Sequence, residues 1–270
     1  MIAPGGGAGR MPPIRKSLGQ HFLSDVRILG RIADAIQIVP GETVIEIGPG
    51  RGALTEALRT RGARVIAVEV DRMLSEMLAK RYAGDDAVRI VQGDALETDF
   101  AELAGGAYAL VGNVPYYITT PLIFHALERP RASRSVFLVQ REVATRMASP
   151  PGVKEYGALS VNVQSVARVE LLFAVPAASF HPPPKVESAV VRLTPLAEPM
   201  VAPEREARVR SFVQEIFGLR RKQMRRVLRT VAKLDVDAAN AILATCEIDP
   251  EARPETLAPA QFTRLSAALD

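Results

Sequence analysis

Two apolar patterns alternate along the chain from residue 24 to about residue 195. The first is a set of short runs that are apolar on nearly every position, over 43–47, 64–70, 88–91, 108–111 and 135–139. The second places apolar residues at three- and four-residue spacing over 53–61, 72–81, 120–127 and 141–148, which predicts amphipathic helices between the runs. A helix is also expected over 26–38, with Ser24 as its N-cap and Ile28, Leu29, Ile32, Ala35 and Ile36 along one stripe. Strands apolar on both faces, separated by helices, imply an α/β fold with a parallel sheet covered on both sides. The closely spaced β-rich segments 169–175 and 188–193 suggest an antiparallel edge. No internal repeat is visible.

Beyond residue 195 the pattern changes. A Pro-rich stretch over 195–203 reads as a linker, and only helical spacing follows, over 204–217, 219–233, 236–245 and 259–269. Residues 1–14, rich in Gly and Pro, read as a disordered leader, with Met11 as an alternative start. The expected organisation is therefore leader 1–14, α/β domain 15–197 and a small helical domain 204–270.

At 270 residues, with 48% hydrophobic and 24% charged positions, the composition is that of an ordinary globular protein. One cysteine, Cys246, excludes an internal disulfide and a cysteine-based zinc site, and suits a reducing compartment. The histidines, His21, His125 and His181, lack metal-ligand spacing, so no metal is expected. No apolar run is long enough to span a membrane. The net charge is +4 and the isoelectric point is near 9.4, which permits a nucleic-acid partner. Its distribution carries more weight. Between Arg205 and Lys233 lie Arg208, Arg210, Arg220, Arg221, Lys222, Arg225, Arg226 and Arg229, against only Glu206 and Glu215. Arg221, Arg225 and Arg229 are four apart, so one continuous helix would align them on a single face for RNA phosphates.

The candidate chemistry sits where strands end. Asn113-Val114-Pro115-Tyr116 follows the run 108–111, so an amide oxygen and the Val114 carbonyl can both accept from one exocyclic NH2. Pro115 fixes the loop and Tyr116 offers a ring face to a base. Taken alone, such a tetrapeptide reads as a strand-to-helix turn with a packed tyrosine. Its neighbours change that. The first strand runs into Glu46-Ile47-Gly48-Pro49-Gly50-Arg51-Gly52, where glycines let bare backbone approach a ligand. That string fits a nicotinamide dinucleotide as well as S-adenosylmethionine. Glu69, 21 residues after Gly48, is placed to accept from ribose hydroxyls. Asp94, ending the third strand, is placed to accept from an adenine amino group, which favours S-adenosylmethionine.

Together these residues resemble the ribosomal RNA adenine N6,N6-dimethyltransferase family over roughly 15–270. The resemblance rests on the 16–23 segment (KSLGQHFL), 46–50 (EIGPG), 112–116 (GNVPY), 180–189 (FHPPPKVESA) and the basic Arg220-Arg221-Lys222. It implies a Rossmann-like class I methyltransferase fold with a small C-terminal helical domain. It also implies S-adenosyl-L-methionine as methyl donor, held by His21, Leu23, Gly48, Glu69, Asp94 and Asn113. Asn113 and Val114 would accept from the reacting N6, Pro115 would set the loop, and Tyr116 and Phe180 would cover the two faces of a flipped adenine. Arg220, Arg221, Lys222, Arg225, Arg226 and Arg229 would contact RNA. The implied setting is cytoplasmic and monomeric, acting on two adjacent adenosines near the 3′ end of small-subunit rRNA in an immature 30S particle. Position 21 is often Asn in the family, and Tyr117 stands where Asn commonly follows the N-x-P-Y motif. Rival readings are a large-subunit rRNA adenine methyltransferase, a non-catalytic RNA-binding assembly factor and an NAD oxidoreductase.

Overall fold

The computed structural model describes residues 12, 13, 15 and 20–269. Apart from Pro12 and Pro13, the expected leader lies outside the described residues, as do Met11 and positions 16–19 of the first motif. A short strand β1 (Phe22–Leu23) precedes α1 (Val26–Ile36). Strand–helix units follow: β2 (Thr43–Ile47) with α2 (Ala53–Arg59), and β3 (Arg64–Glu69) with α3 (Arg72–Arg81). Then come β4 (Val88–Gln92) with α4 (Phe100–Ala104), and β5 (Tyr108–Asn113) with α5 (Thr119–Ala126). Next are β6 (Ser135–Gln140), α6 (Arg141–Ala148), α7 (Ala158–Gln164), β7 (Ala167–Val175), β8 (Phe180–His181) and β9 (Ser188–Pro195). The remainder is helical: α8 (Glu206–Gly218), α9 (Met224–Val231), α10 (Val236–Thr245) and α11 (Pro259–Ala267).

Seven strands form one sheet in the order β4-β3-β2-β5-β6-β9-β7. The first five of these run parallel, and β9 and β7 add antiparallel at one edge. Alternate residues of each strand feed opposite layers. Val44, Val65, Ala109 and Val111 pack with α1, α2 and α3, whereas Ile45, Ile47, Val68 and Leu110 pack with α5, α6 and α7. Burial on both faces explains why the strands read as continuous apolar runs.

Some expected details shift. The N-cap of α1 is Asp25, not Ser24. The Asp25 carboxylate accepts from the Arg27 and Ile28 amides, while the Ser24 amide and hydroxyl both donate to the Ser179 carbonyl. The helix stops at Ile36 because Gln37 turns left-handed, at φ 58°. The helix expected over 219–233 begins only at Met224. Residues 219–222 form successive turns, and the first free amides of α9 donate to the Ala252 and Pro250 carbonyls. The stripe of Arg221, Arg225 and Arg229 is thereby broken, since Arg221 precedes the helix.

A third core unites the terminal helices through Val209, Val213, Ile216, Met224, Leu228, Leu243 and Phe262. It also takes in Tyr156 and Val161, from the segment before β7, and Val201 from the Pro-rich stretch. That stretch is held to the sheet side by Leu196 and Met200 amides bonded to the Val166 and Ser165 carbonyls. Arg131, 7% exposed at its side chain, and Arg129 both pair with Glu206 at the start of α8. Among the described residues, no helix is long and apolar enough to cross a membrane.

The Tyr156 hydroxyl, fully buried, donates to the Leu257 carbonyl at 2.8 Å and so ties α7's approach to the helical core. Tyr156→Phe should lower stability by about 1–3 kcal/mol, because that carbonyl loses its donor in a dry interior. Urea denaturation reads the loss, and an unchanged midpoint would show that the bond contributes nothing net.

Candidate active site

The C-terminal ends of β2, β3, β4 and β5 open on one cavity of about 190 Å³. The sheet order turns around between β2 and β5, with β3 and β4 built outward on one side and β6 on the other. Connecting loops diverge at such a point and leave a crevice beyond the strand ends. Residues 48–51 follow β2, Glu69 closes β3, Gly93 and Asp94 follow β4, Asn113 closes β5 and residues 114–118 follow it, all lining the cavity. Residues 20–23 complete the wall, because β1 pairs antiparallel with β8 and crosses there.

Gly48 and Gly50 adopt left-handed backbone, at φ +65° and +58°. A Cβ on Gly50 would also lie 2.9 Å from the Phe22 ring, so no side chain fits between the loop and the covering strand. The freed Gly50 amide donates to Glu69 Oε2 at 3.0 Å, and the Asp71 amide donates to Oε1 at 2.9 Å. Burial pushes the Glu69 carboxyl above its usual range, while these two amides oppose the rise. Asp71 accepts from the Met73 amide and caps α3. It also receives Gln20 and Arg15 from the N-terminal side, at 3.2 and 3.3 Å, and so fastens the covering segment.

On the other side of the cavity, the Asn113 amide nitrogen donates to the His21 carbonyl at 2.9 Å. The amide oxygen is thereby turned away from that carbonyl. The Val114 amide is held by the Leu138 carbonyl, and among the described residues no donor is paired with the Val114 carbonyl. Tyr116 joins its hydroxyl to the buried Ser188 hydroxyl at 2.8 Å. Its ring stacks with that of His21 at 5.9 Å between centroids and 25° between planes. His21 is fixed in turn by Nδ1 against the Pro182 carbonyl at 2.7 Å.

Thus His21, Leu23, Gly48, Glu69, Asp94, Asn113, Val114, Pro115 and Tyr116 all line the cavity. Phe180 does not. It is 4% exposed and packs with Leu23, Leu138, Val175 and Val190, because its pairing with Leu23 turns the ring into the core. The basic residues lie elsewhere. Arg220 is committed to Glu255 and to the Val153 and Lys154 carbonyls, whereas Arg221, Lys222, Arg226 and Arg229 are exposed and Arg225 is half-buried. Sequence reasoning missed Asp71 and Ser188, whose roles arise from partners 51 and 72 residues away. It also left Glu46 unassigned within the glycine motif, though the residue lines the cavity and is buried.

The lining favours one class of cofactor. Glu69 and Asp94 put carboxyl oxygens on the wall, which suits a cationic sulfonium and ribose hydroxyls and opposes a pyrophosphate. Phe22 lies over Gly50, where a dinucleotide would bring its phosphates to the start of α2. Arg51 packs its guanidinium on the Phe22 ring at 4.6 Å. Among the described residues, no cluster of three or more His, Cys, Asp or Glu groups could hold a metal.

Comparison with known proteins gives a consistent match. The family described as ribosomal RNA adenine dimethylase matches residues 11–270. A Pseudomonas aeruginosa protein named ribosomal RNA small subunit methyltransferase A is 44% identical over 259 residues, covering 94% of each chain. One of the same name from Moorella thermoacetica is 42% identical over 268 residues, covering 94% of this chain and 92% of its own. Among solved structures, a dimethyladenosine transferase from Plasmodium falciparum aligns with a TM-score of 0.76 at 27% identity, covering 91% of this chain and 96% of that one. A 23S rRNA methyltransferase aligns with a TM-score of 0.73 at 28% identity, covering 92% and 99%.

Burial pushes the Glu46 carboxyl up to about 8, with nearby Glu69 adding to the rise and its 2.6 Å bond from Thr55 opposing it. The folded chain keeps this proton where the unfolded chain, with its ordinary carboxyl, releases it. The group's contribution to stability is therefore complete below the unfolded value and declines as pH rises toward 8. Glu46→Gln removes that slope. Its stability relative to the unsubstituted protein should rise between about pH 5 and about pH 8, read by urea denaturation at both. An equal offset at both values would mean that the buried carboxyl carries no retained proton.

Proposed function

The chain belongs to the ribosomal RNA adenine dimethylase family, and we propose that it transfers methyl groups from S-adenosylmethionine to N6 of adenosine in small-subunit rRNA. The observation that carries this reading is a single cavity with two halves. One half joins the glycine loop to Glu69 and Asp94, and the other joins Asn113, the open Val114 carbonyl and Tyr116.

Glu69 would accept from the ribose hydroxyls of the cofactor. The Asp94 oxygen left free by the Leu96 amide would accept from its adenine amino group. Gly48, His21 and Leu23 would bound its methionine half. When bound, S-adenosylmethionine supplies an electrophilic methyl on a positively charged sulfur. The remaining work is done by the protein. Adenine N6 is a poor nucleophile because its lone pair is delocalised into the ring. Two acceptors, Asn113 Oδ1 and the Val114 carbonyl, would take both N6–H bonds and favour a pyramidal nitrogen with its lone pair aimed at the methyl. Asn113 is held by the His21 carbonyl and Tyr116 by Ser188, so the acceptors stand ready before substrate arrives. Asn113 is neutral and binds no proton, so the proton leaves to solvent after transfer.

The small-subunit assignment is supported by relatives at 44% and 42% identity over nearly their whole length, against 28% for the 23S rRNA methyltransferase. The intact pair of acceptors and the acids at the strand ends favour an enzyme over a non-catalytic assembly factor. The region 204–270 is read as the RNA-docking part, through exposed Arg221, Lys222, Arg226 and Arg229, with half-buried Arg225 beside them. Phosphate contacts position a protein without reading sequence. Selection of two adjacent adenosines near the 3′ end then comes from RNA shape, which an immature 30S particle presents better than free RNA. A monomer acting in the cytoplasm suits that substrate.

Asn113→Ala should reduce methyl transfer to unmodified small-subunit particles by about a hundredfold or more, the scale for losing one preorganised polar group. A labelled-methyl assay at saturating cofactor checks this, and near-normal turnover would end the proposed role.

Replacing Arg221, Lys222 and Arg226 by Glu should impair RNA binding while leaving cofactor affinity intact. Removing each charge that pairs with a phosphate should flatten the log–log salt dependence of binding by somewhat less than about one unit. An unaltered slope would leave these residues as solvated charges.

A further inference from the structure

The chain has 5 Tyr, 9 Phe and no Trp, and among these rings only Tyr117 is exposed. It is 62% exposed and lines the mouth of the same cavity as Asn113 and Tyr116. This exposure does not come from a loose loop. Tyr117 is the middle residue of a 3₁₀ turn, Tyr116–Ile118, and every neighbour is tied down. The Ile118 amide and the Thr119 hydroxyl both donate to the Pro115 carbonyl at 3.2 Å, and Tyr116 is anchored to Ser188. Successive side chains on such a turn diverge by roughly a third of a rotation. Tyr116 therefore turns toward His21 while Tyr117 turns toward solvent. A rigid aromatic face is thus held in water beside the place where a base must enter.

We propose that Tyr117 is a stacking platform for the nucleobase next to the target adenine in the RNA strand. The inference rests on the proposed methyl transfer to adenosine and adds a substrate-positioning residue to it. An adenine that enters the cavity leaves its stack, and its neighbour is left with one face uncovered. A ring at the cavity mouth covers that face again without asking which base it is, since every base has a π-face. Such a platform lowers the cost of flipping and sets the register of the strand, while the closed hydrogen bonds around it keep the backbone that carries the ring in place.

The test uses the full-length protein and small-subunit particles reconstituted with a 3′ RNA segment that carries either the natural base or an abasic residue beside the target. On the natural substrate Tyr117→Ala should lower kcat/KM between about fivefold and about a hundredfold, the range for losing one base–ring stack. Tyr117→Phe, which keeps the ring, should stay within about twofold of the unsubstituted protein. On the abasic substrate Tyr117→Ala should cause no further loss. Calorimetric titration with S-adenosylmethionine should give both variants the unsubstituted affinity. Three results would overturn the proposal: unchanged kinetics for Tyr117→Ala, an equal loss on the abasic substrate, or a lost cofactor affinity. If the unsubstituted protein transfers no methyl to the natural substrate, the functional reading itself fails, and this inference with it.

Discussion

The site depends on one hydrogen bond, from the Asn113 side-chain amide to the His21 backbone carbonyl, 92 residues apart in the chain. A carbonyl can only accept, so it selects which end of the amide faces it. The NH2 must turn to His21, and the oxygen is presented elsewhere as an acceptor. The same bond draws the 20–23 segment over the sheet, which makes the covering wall and the loop after β5 parts of one assembly. His21 is also held by Pro182, and its ring meets Tyr116, so three segments of the chain converge on a few atoms.

The acidic half of the cavity is organised in a comparable way. Glu69 is almost surrounded by protein, yet both its oxygens already receive backbone amides from the glycine loop and from the start of α3. Those bonds fix its position, and each oxygen keeps a further lone pair for a ligand hydroxyl. Asp71 caps α3 with one oxygen and gathers Gln20 and Arg15 with the other. Helix capping, strand ending and closure of the covering segment are in this way set by two neighbouring carboxylates.

The terminal helices are not an independent bead on a tether. Tyr156 and Val161 enter their core from the sheet side, Val201 enters from the Pro-rich stretch, and Arg131 reaches across to Glu206. A basic surface carried on such a foundation keeps a defined position relative to the cavity. Under the proposed function, phosphate contacts on that surface would then deliver one base to one pocket.

Much of this was legible in the chain. Strands buried on both faces leave an unbroken apolar signature, so β2 through β6 and helices α2, α3, α5 and α6 appear at nearly their observed bounds, whereas the short α4 and α7 were not expected. Glycines with left-handed backbone and acids at strand ends are local features, and they marked the cavity correctly. What failed was always decided from a distance. Ser24 has the chemistry of a cap but commits both its donors to Ser179. Helix α9 starts late because carbonyls at Pro250 and Ala252 satisfy its first amides. Sequence by itself determined the fold, the family and part of the cavity lining, since periodicity and turn chemistry act over a few positions. Only tertiary structure decided which atoms face the ligand, because orientation is set by hydrogen-bond partners 51 to 161 residues away, such as Asp71 with Gln20 and His21 with Pro182.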